Sequence, residues 1–307
     1  MTIVNKVFIL LGQTCTGKTN VSIEIAQKLP IEIISADSRQ VYRYMNIGTA
    51  KPTKEEMKGV PHYLIDIIYP DEEFNAFIFQ SKALEIIEDV VNRSKIPLIV
   101  GGTALYLKGL IEGYNFAFGT KNREIRNRLM AIGLEKGFEH LHHRLTEIDP
   151  DYAKTISPTD KIRIIRALEV YEVSGLSFSQ AAKNSERRYE YKIFGLKIER
   201  NLLYERINKR VDLMIQNNLI DEVKFLIDKY DINTKAFQTY GYKEIIDYLV
   251  NNLPLNEAIE LIKKNTRNFA KRQMTWFKKM NAEWIENIDY NISANYLIKK
   301  IKEELYW

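Results

Sequence analysis

The chain has 307 residues, of which 45% are hydrophobic and 28% charged, and a net charge of +5. Such a length and composition fit one large globular domain, or a domain with an insertion, and argue against a disordered or fibrous chain. No run of eighteen apolar residues occurs, which excludes a membrane-crossing helix, and the lone Cys15 excludes an intrachain disulfide or a cysteine–zinc cluster and suits a reducing cytoplasm.

In chain order, residues 7–11 form an apolar run that flows into a glycine loop. The run lacks a small-residue cleavage site, so it reads as a first strand and not as a signal peptide. Residues 18–29 are amphipathic and stop at Pro30, and residues 31–36 form a second, β-branched strand. A helix is expected over 75–93, with Phe79, Ala83, Ile86, Ile87 and Val90 on one face. A third buried strand follows at 97–100, ended by Gly101-Gly102. Between 121 and 182 only helical patterns occur, and Ser157-Pro158 reads as an N-cap followed by proline at the first helical position. Strand character returns at 191–198, long helices follow, and 284–285 is a short last strand. Strands alternating with helices imply an α/β fold built on a parallel sheet. The core is expected over 1–120 and 191–307, interrupted by a helical insertion at 121–190. The positive excess is concentrated in 121–210, where a polyanion would be drawn first.

The first strand and helix flank Gly12-Gln13-Thr14-Cys15-Thr16-Gly17-Lys18-Thr19, which satisfies GxxxxGK[ST] in its proper strand–loop–helix setting. Backbone N–H groups and the helix N-terminus suit phosphate oxygens, Lys18 adds a point charge, and the Thr19 hydroxyl can ligate Mg²⁺. The motif leaves open which phosphate compound binds. The second strand ends at Asp37 and the third at Thr103, and strand ends at the carboxyl edge of such a sheet surround the ligand crevice. A carboxylate and a hydroxyl there can orient an amine. The alternative for Asp37 is a carboxylate supporting Mg²⁺, as in a P-loop NTPase. His140, His142 and His143 read as a solvated helix face, since no nearby cysteine or fixed carboxylate completes a metal set.

Six blocks, GQTCTGKT, DSRQVYR, NIGTAKP, GGTALYLKGL, RALEVY and AKRQMTWFKK, occur in this order between Lys6 and about Trp284. Together they resemble the tRNA dimethylallyltransferase family of bacteria. The resemblance implies a P-loop NTPase-like core whose loop cradles dimethylallyl diphosphate, with Mg²⁺ assisting. It also implies transfer of the prenyl group to N6 of the adenosine just 3′ of the anticodon. On that basis Lys18, Thr19, Asp37 and Thr103 are the catalytic candidates, with Asp37 taking or binding the N6 proton and Thr103 orienting the amine. Arg206 and Arg210 are candidates for the diphosphate, against a role in helix-surface ion pairs. The tRNA candidates are Asp37, Ser38, Arg39, Gln40, Thr103, Arg126, Arg163, Arg166, Gln238, Tyr240, Gly241, Lys243, Lys271 and Arg272. The aromatic rings of 238–243 either stack on bases or pack. On a helical wheel of 269–279, Lys271, Arg272, Lys278 and Lys279 form a basic arc opposite Phe269, Ala270, Met274, Trp276 and Phe277. Trp276 reads as packing. A tRNA anticodon stem-loop is the expected partner, with no membrane and a monomeric chain.

Several positions depart from the family pattern. Gln13, Cys15 and Thr16 replace Pro, Ala and Ser, Asn46 replaces Asp, and Asn218 stands where glycine is common. Asparagine tolerates positive φ, so a helix cap at 218 is expected to survive. Two rival enzymes fit the loop alone: one that prenylates free adenine nucleotides, and a P-loop kinase or NTPase. The basic insertion argues against the first, and the lack of DxxG and NKxD signatures against the second. A non-catalytic RNA-binding protein would have no need of the intact phosphate loop.

Overall fold

The computed structural model describes residues 6–114, 122–182 and 189–305. Strand β1 (Lys6–Gly12) leads through the glycine loop to α1 (Lys18–Lys28), β2 (Ile31–Ala36), α2 (Lys54–Met57) and β3 (His62–Tyr63). Helix α3 (Ala76–Asn92), β4 (Ile96–Gly101) and α4 (Ala104–Glu112) follow. Then come α5 (Arg123–Lys136), α6 (Phe138–Ile148), α7 (Pro150–Ala153), α8 (Lys161–Ser174) and α9 (Phe178–Ala181). The chain continues with β5 (Glu190–Lys197), α10 (Arg200–Gln216), α11 (Leu219–Lys229) and α12 (Tyr242–Val250), with a 3₁₀ turn at Lys235–Gln238 before α12. It closes with α13 (Leu255–Phe277), β6 (Glu283–Glu286) and α14 (Tyr290–Leu305). Strand β3 is too short to carry a readable alternation, and it was not expected.

The chain divides into two compact units, Met1–Leu107 with Arg188–Trp307, and Lys108–Arg187. The division falls inside α4. In the first unit six parallel strands lie in the order β3-β2-β4-β1-β5-β6. Both faces of β1 are buried, as a parallel sheet covered by helices requires. Phe8 and Leu10 join Ile31, Ile33, Ile96 and Leu98 in a core completed by α1 and α14. Phe8 stacks on Phe194 of β5, with ring centroids 6.4 Å apart. Each such side chain contributes roughly 1.5–3 kcal/mol by leaving water. Helix α3 starts at Asn75, whose side chain accepts from Phe77 N and Ile78 N, and buries Phe79, Ala83, Ile87 and Val90.

The second unit packs Leu129 of α5, Leu141 and Leu145 of α6 and Ile164, Ile165 and Leu168 of α8 into its own core. Its most deeply buried carboxylate among the described residues, Glu169, accepts from Asn122 N, from Arg126 through two bonds of 2.8 Å, and from Arg166 at 2.6 Å. Helix α8 starts three residues later than Ser157-Pro158 suggested. Asp160 is the cap, accepting from Arg163 N at 3.1 Å, while the Ser157 hydroxyl accepts from Thr159 N in a local turn. Two cap-competent residues lie three apart, and the carboxylate takes the helix.

Helix α13 also differs from its wheel. It ends at Phe277, so Lys278 and Lys279 lie beyond it, and Trp276 is 41% exposed at the margin of the buried arc. That arc is Ala258, Ile262, Ala270, Gln273 and Phe277, with a glutamine at its centre. Asn218 adopts φ 67° between α10 and α11, in the left-handed conformation expected of it.

Candidate active site

The register of the sheet sets the site. Leu11 pairs with Gly101 and Gly101 with Ala36, so the glycine loop, Gly102-Thr103 and Asp37 leave the same edge side by side. Close approach there depends on glycine: a Cβ at Gly101 would lie 2.2 Å from Ala36 O. Gly17 caps α1 at φ 87°, and a Cβ there would meet Asn287 Nδ2 at 2.6 Å. Asn287 in turn donates to Thr16 O at 2.7 Å.

The loop is braced from α13. Gln13 is turned out of the loop, its Nε2 donating to Ala270 O at 2.9 Å. The buried Gln273 accepts from Thr14 N and donates to Gly102 O, both at 2.9 Å, and so ties the loop after β1 to the turn after β4. Thr14 N is therefore turned to protein, although the loop amides were expected to face phosphate. Cys15 is buried with Leu203, Ile207 and Ala270, at φ 63°. Lys18 Nζ donates to Gly12 O at 2.8 Å and Gln13 O at 2.7 Å. Loss of solvation and the nearby Arg210 guanidinium bring its ammonium down to about 8, against the opposing pull of Asp37. Arg210 of α10 reaches the loop, donating to Thr14 Oγ1 at 3.2 Å, whereas Arg206 lines none of the three cavities around it.

Two of those cavities meet at Asp37. One, of about 140 Å³, lies against the loop and is lined by Thr14, Cys15, Gly17, Lys18, Thr19, Gln40 and His62. The other, of about 400 Å³, is lined by Arg39, Thr103, Gln238, Tyr240, Phe269 and Arg272. Thr14, Asp37, Thr49, Ala50 and Arg210 line both. Asp37 Oδ1 accepts from Arg39 N at 2.8 Å and Gln40 N at 3.3 Å, which anchors that oxygen to the turn after β2. Thr103 Oγ1 accepts from Ser38 N at 3.0 Å, locking the same turn. A phosphate compound in the first cavity and a planar amine in the second would face each other at Asp37.

A family model described as IPP transferase matches residues 40–280. A tRNA dimethylallyltransferase of Thermosipho africanus is 48% identical over 300 residues, covering 97% of this chain and 98% of that protein. One from Acetivibrio thermocellus is 44% identical over 303 residues, covering 97% and 96%. The chain belongs to the IPP transferase family. The crystal structure of the full-length tRNA isopentenylpyrophosphate transferase of Bacillus halodurans superposes with a TM-score of 0.74 at 40% identity, covering 98% of this chain and 97% of that one. A eukaryotic dimethylallyltransferase, in crystallographic snapshots of it acting on tRNA, gives 0.79 at 30% identity, covering 93% of this chain and 75% of that one.

In this IPP transferase, the remaining candidates fall into distinct settings. Gln40 directs Nε2 to Ala50 O at 3.2 Å and Thr49 O at 3.4 Å, so its amide holds a neighbouring loop. Tyr240 is 36% exposed, and its hydroxyl accepts from Arg272 Nη2 at 2.7 Å at the second cavity. Tyr242 is instead fully buried, which decides packing for that ring. Gly241 has φ 96° at the start of α12, and Lys243 and Lys271 are exposed. Arg126 and Arg166 converge on Glu169, while Arg163 pairs loosely with Asp160 at 3.4 Å. His142 bonds Ala153 O and His143 pairs with Glu147, and no cluster of metal-binding residues occurs among the described residues. Sequence reading missed Gln273. Its polarity on an otherwise apolar helical arc was the available signal. Asn287, 271 residues from its partner, gave none.

Proposed function

We propose that this chain transfers a dimethylallyl group from dimethylallyl diphosphate to N6 of the adenosine just 3′ of the anticodon of a tRNA. The C1–O bond of the donor breaks, the N6–C1 bond forms, and diphosphate and the N6 proton leave. What supports this reading best is Asp37, whose carboxyl lies where the loop cavity and the second cavity meet, beside Thr14 and Arg210.

In this reading the loop amides, Lys18 and Arg210 hold the diphosphate and stabilise it as a leaving group. The acceptor base, extruded from the anticodon loop, enters the larger cavity between Thr103, Tyr240 and Arg272. Adenine N6 is a weak nucleophile, because its lone pair is delocalised into the ring. Alignment against an ionising allylic carbon is therefore the main demand, and Asp37 takes or hydrogen-bonds the N6 proton. Thr103 acts through the turn it locks and by orienting the amine. Mg²⁺ fits here: the exposed Thr19 hydroxyl is a hard oxygen donor on the loop cavity. When bound it would neutralise charge on the departing diphosphate. Arg163, Lys243 and Lys271 are exposed cations for RNA phosphates. A monomer acting in the cytoplasm belongs to the same proposal, and no helix among the described residues is long and apolar enough to cross a membrane.

One assay tests the reading. The protein is mixed with dimethylallyl diphosphate, Mg²⁺ and unmodified tRNA or AMP, and prenylated adenine is sought by mass. Prenyl-tRNA is expected. Prenyl-AMP alone, or turnover of ATP without either product, would replace it with one of its rivals.

A further inference from the structure

Thr49 and Ala50 line both cavities at Asp37 and Gly48 lines the larger, so the loop 46–50 carries the wall that the two share. The wall is irregular backbone, with Ala50 at φ 48°. Short irregular loops hold a shape only where their polar groups have fixed partners. From the cavity side, Gln40 Nε2 binds Thr49 O and Ala50 O. Lys51 is buried, and its ammonium donates to Tyr42 O at 2.7 Å, Asn46 Oδ1 at 2.8 Å and Asp66 Oδ1 at 2.5 Å.

From the outer side a single carboxylate, Glu222 of α11, takes three successive backbone N–H groups. Oε2 accepts from Asn46 N at 2.9 Å and Ile47 N at 2.8 Å, and Oε1 from Gly48 N at 3.1 Å. Successive N–H groups turned to one side make an anion-binding concavity, and here the anion is a side chain of the same protein. Oε1 also accepts from the hydroxyl of Tyr242 at 2.6 Å. Tyr242 is fully buried, and burial together with the neighbouring carboxylate holds its phenol well above its usual range, so it remains a donor. The loop fits against that ring closely: a Cβ on Gly48 would lie 2.5 Å from it. Glu222 lines neither cavity.

We propose that Glu222, fixed by Tyr242, is a positioning residue for the transfer: it sets the 46–50 wall and thereby the alignment of donor carbon and acceptor nitrogen at Asp37. The proposal rests on the prenyl-transfer reading above. Charged hydrogen bonds to three amides fix a loop more tightly than neutral ones, and displacement of a reacting group by about 1 Å can cost roughly 10²-fold in rate. Glu222 makes no bond to the glycine loop itself. The braces of that loop are Gln273, Asn287 and Ala270 O.

The test compares Glu222→Gln and Tyr242→Phe with the wild type, measuring kcat and donor KM for prenyl-tRNA formation, and the Kd of inorganic diphosphate. A glutamine amide keeps one acceptor oxygen but turns N–H groups toward backbone donors. Expected for Glu222→Gln is a fall in kcat of roughly 10- to 100-fold, with donor KM and diphosphate Kd within about threefold. Tyr242→Phe should give a smaller fall of the same kind, and it decides the matter should Glu222→Gln fail to fold. An unchanged kcat in the folded variant overturns the proposal. So does a fall matched by equally weakened diphosphate binding, which would make Glu222 a brace of the fold alone. A wild type that forms no prenyl-tRNA would instead remove the reading beneath it.

Discussion

At the sheet edge and in the helical unit, polar side chains are held in opposite ways. At the edge they are held by main chain: Asp37 by two amides, Thr103 by Ser38 N, and Gln273 by Thr14 N and Gly102 O. In the helical unit the charged side chains hold one another. Arg126 and Arg166 share Glu169, and Arg128 and Arg144 share Glu172. A side chain fixed by backbone keeps its place whatever ligand arrives, which suits a group that must meet a reacting atom within a few tenths of an ångström. An arginine held by a carboxylate reaches a phosphate only by leaving or sharing that partner. A motif match thus identifies the residue without telling how free it is.

The sharpest way to break this contrast is at Asp37. Asn at this position keeps an oxygen for Arg39 N and Gln40 N and removes the proposed base. Asp37→Asn should therefore lower kcat for prenyl transfer roughly 10²-fold or more while tRNA affinity, measured by filter binding, stays nearly intact. Equal kcat in the variant would reduce Asp37 to a turn-forming residue.

The opposite test removes the shared partner in the helical unit. Burial pushes the Glu169 carboxyl up, and the bonds from Arg126, Arg166 and Asn122 N outweigh this, leaving it below the usual carboxylate range. Its contribution is full above the ordinary carboxylate pKa and lost as the pH falls through the lowered one. Glu169→Ala should destabilise the unit by about 3 kcal/mol. Hydrogen exchange should then speed up across residues 122–182 and stay unchanged in β1 and β4. Uniform protection in the variant would show that the arginines need no carboxylate between them.

Lys18 sharpens the comparison through pH. Its ammonium, brought down to about 8, is charged at pH 7 and mostly neutral at pH 9 in the free protein. Diphosphate, measured by calorimetry, should bind roughly tenfold more weakly at pH 9 than at 7, and Lys18→Met should flatten that dependence. For folding the sign is the reverse: between about 8 and the ordinary lysine value the unfolded chain binds more protons, so this group's contribution to stability rises with pH.

What was legible in the sequence follows the same divide. The loop from Gly12 to Thr19, Asp37 and Thr103 are encoded locally, each at the end of a buried strand, and register alone brings them together. The late start of α8 was hidden because Ser157 and Asp160 are both competent caps. Gln273, Asn287 and Glu222 were hidden for another reason: their partners lie 259, 271 and about 175 residues away, and nothing in a short window marks such a contact. Glu169 sat inside the RALEVY block, but its burial under two arginines depends on how α5 packs against α8.

The smallest expected effect decides how far the helical unit touches RNA. Arg163 has 54% of its side chain exposed and pairs with Asp160 at 3.4 Å, so it is the freest of the three arginines named there. Arg163→Ala should leave stability unchanged, weaken tRNA binding a few-fold, and lower the slope of log K against log salt by about 0.7 to 0.9. Arg166→Ala would mix that effect with the loss of its bond to Glu169, and so cannot serve in its place. An identical salt slope for Arg163→Ala would mean that this guanidinium meets no phosphate, and would leave the backbone contacts to the exposed cations of the other unit, Lys243 and Lys271 foremost.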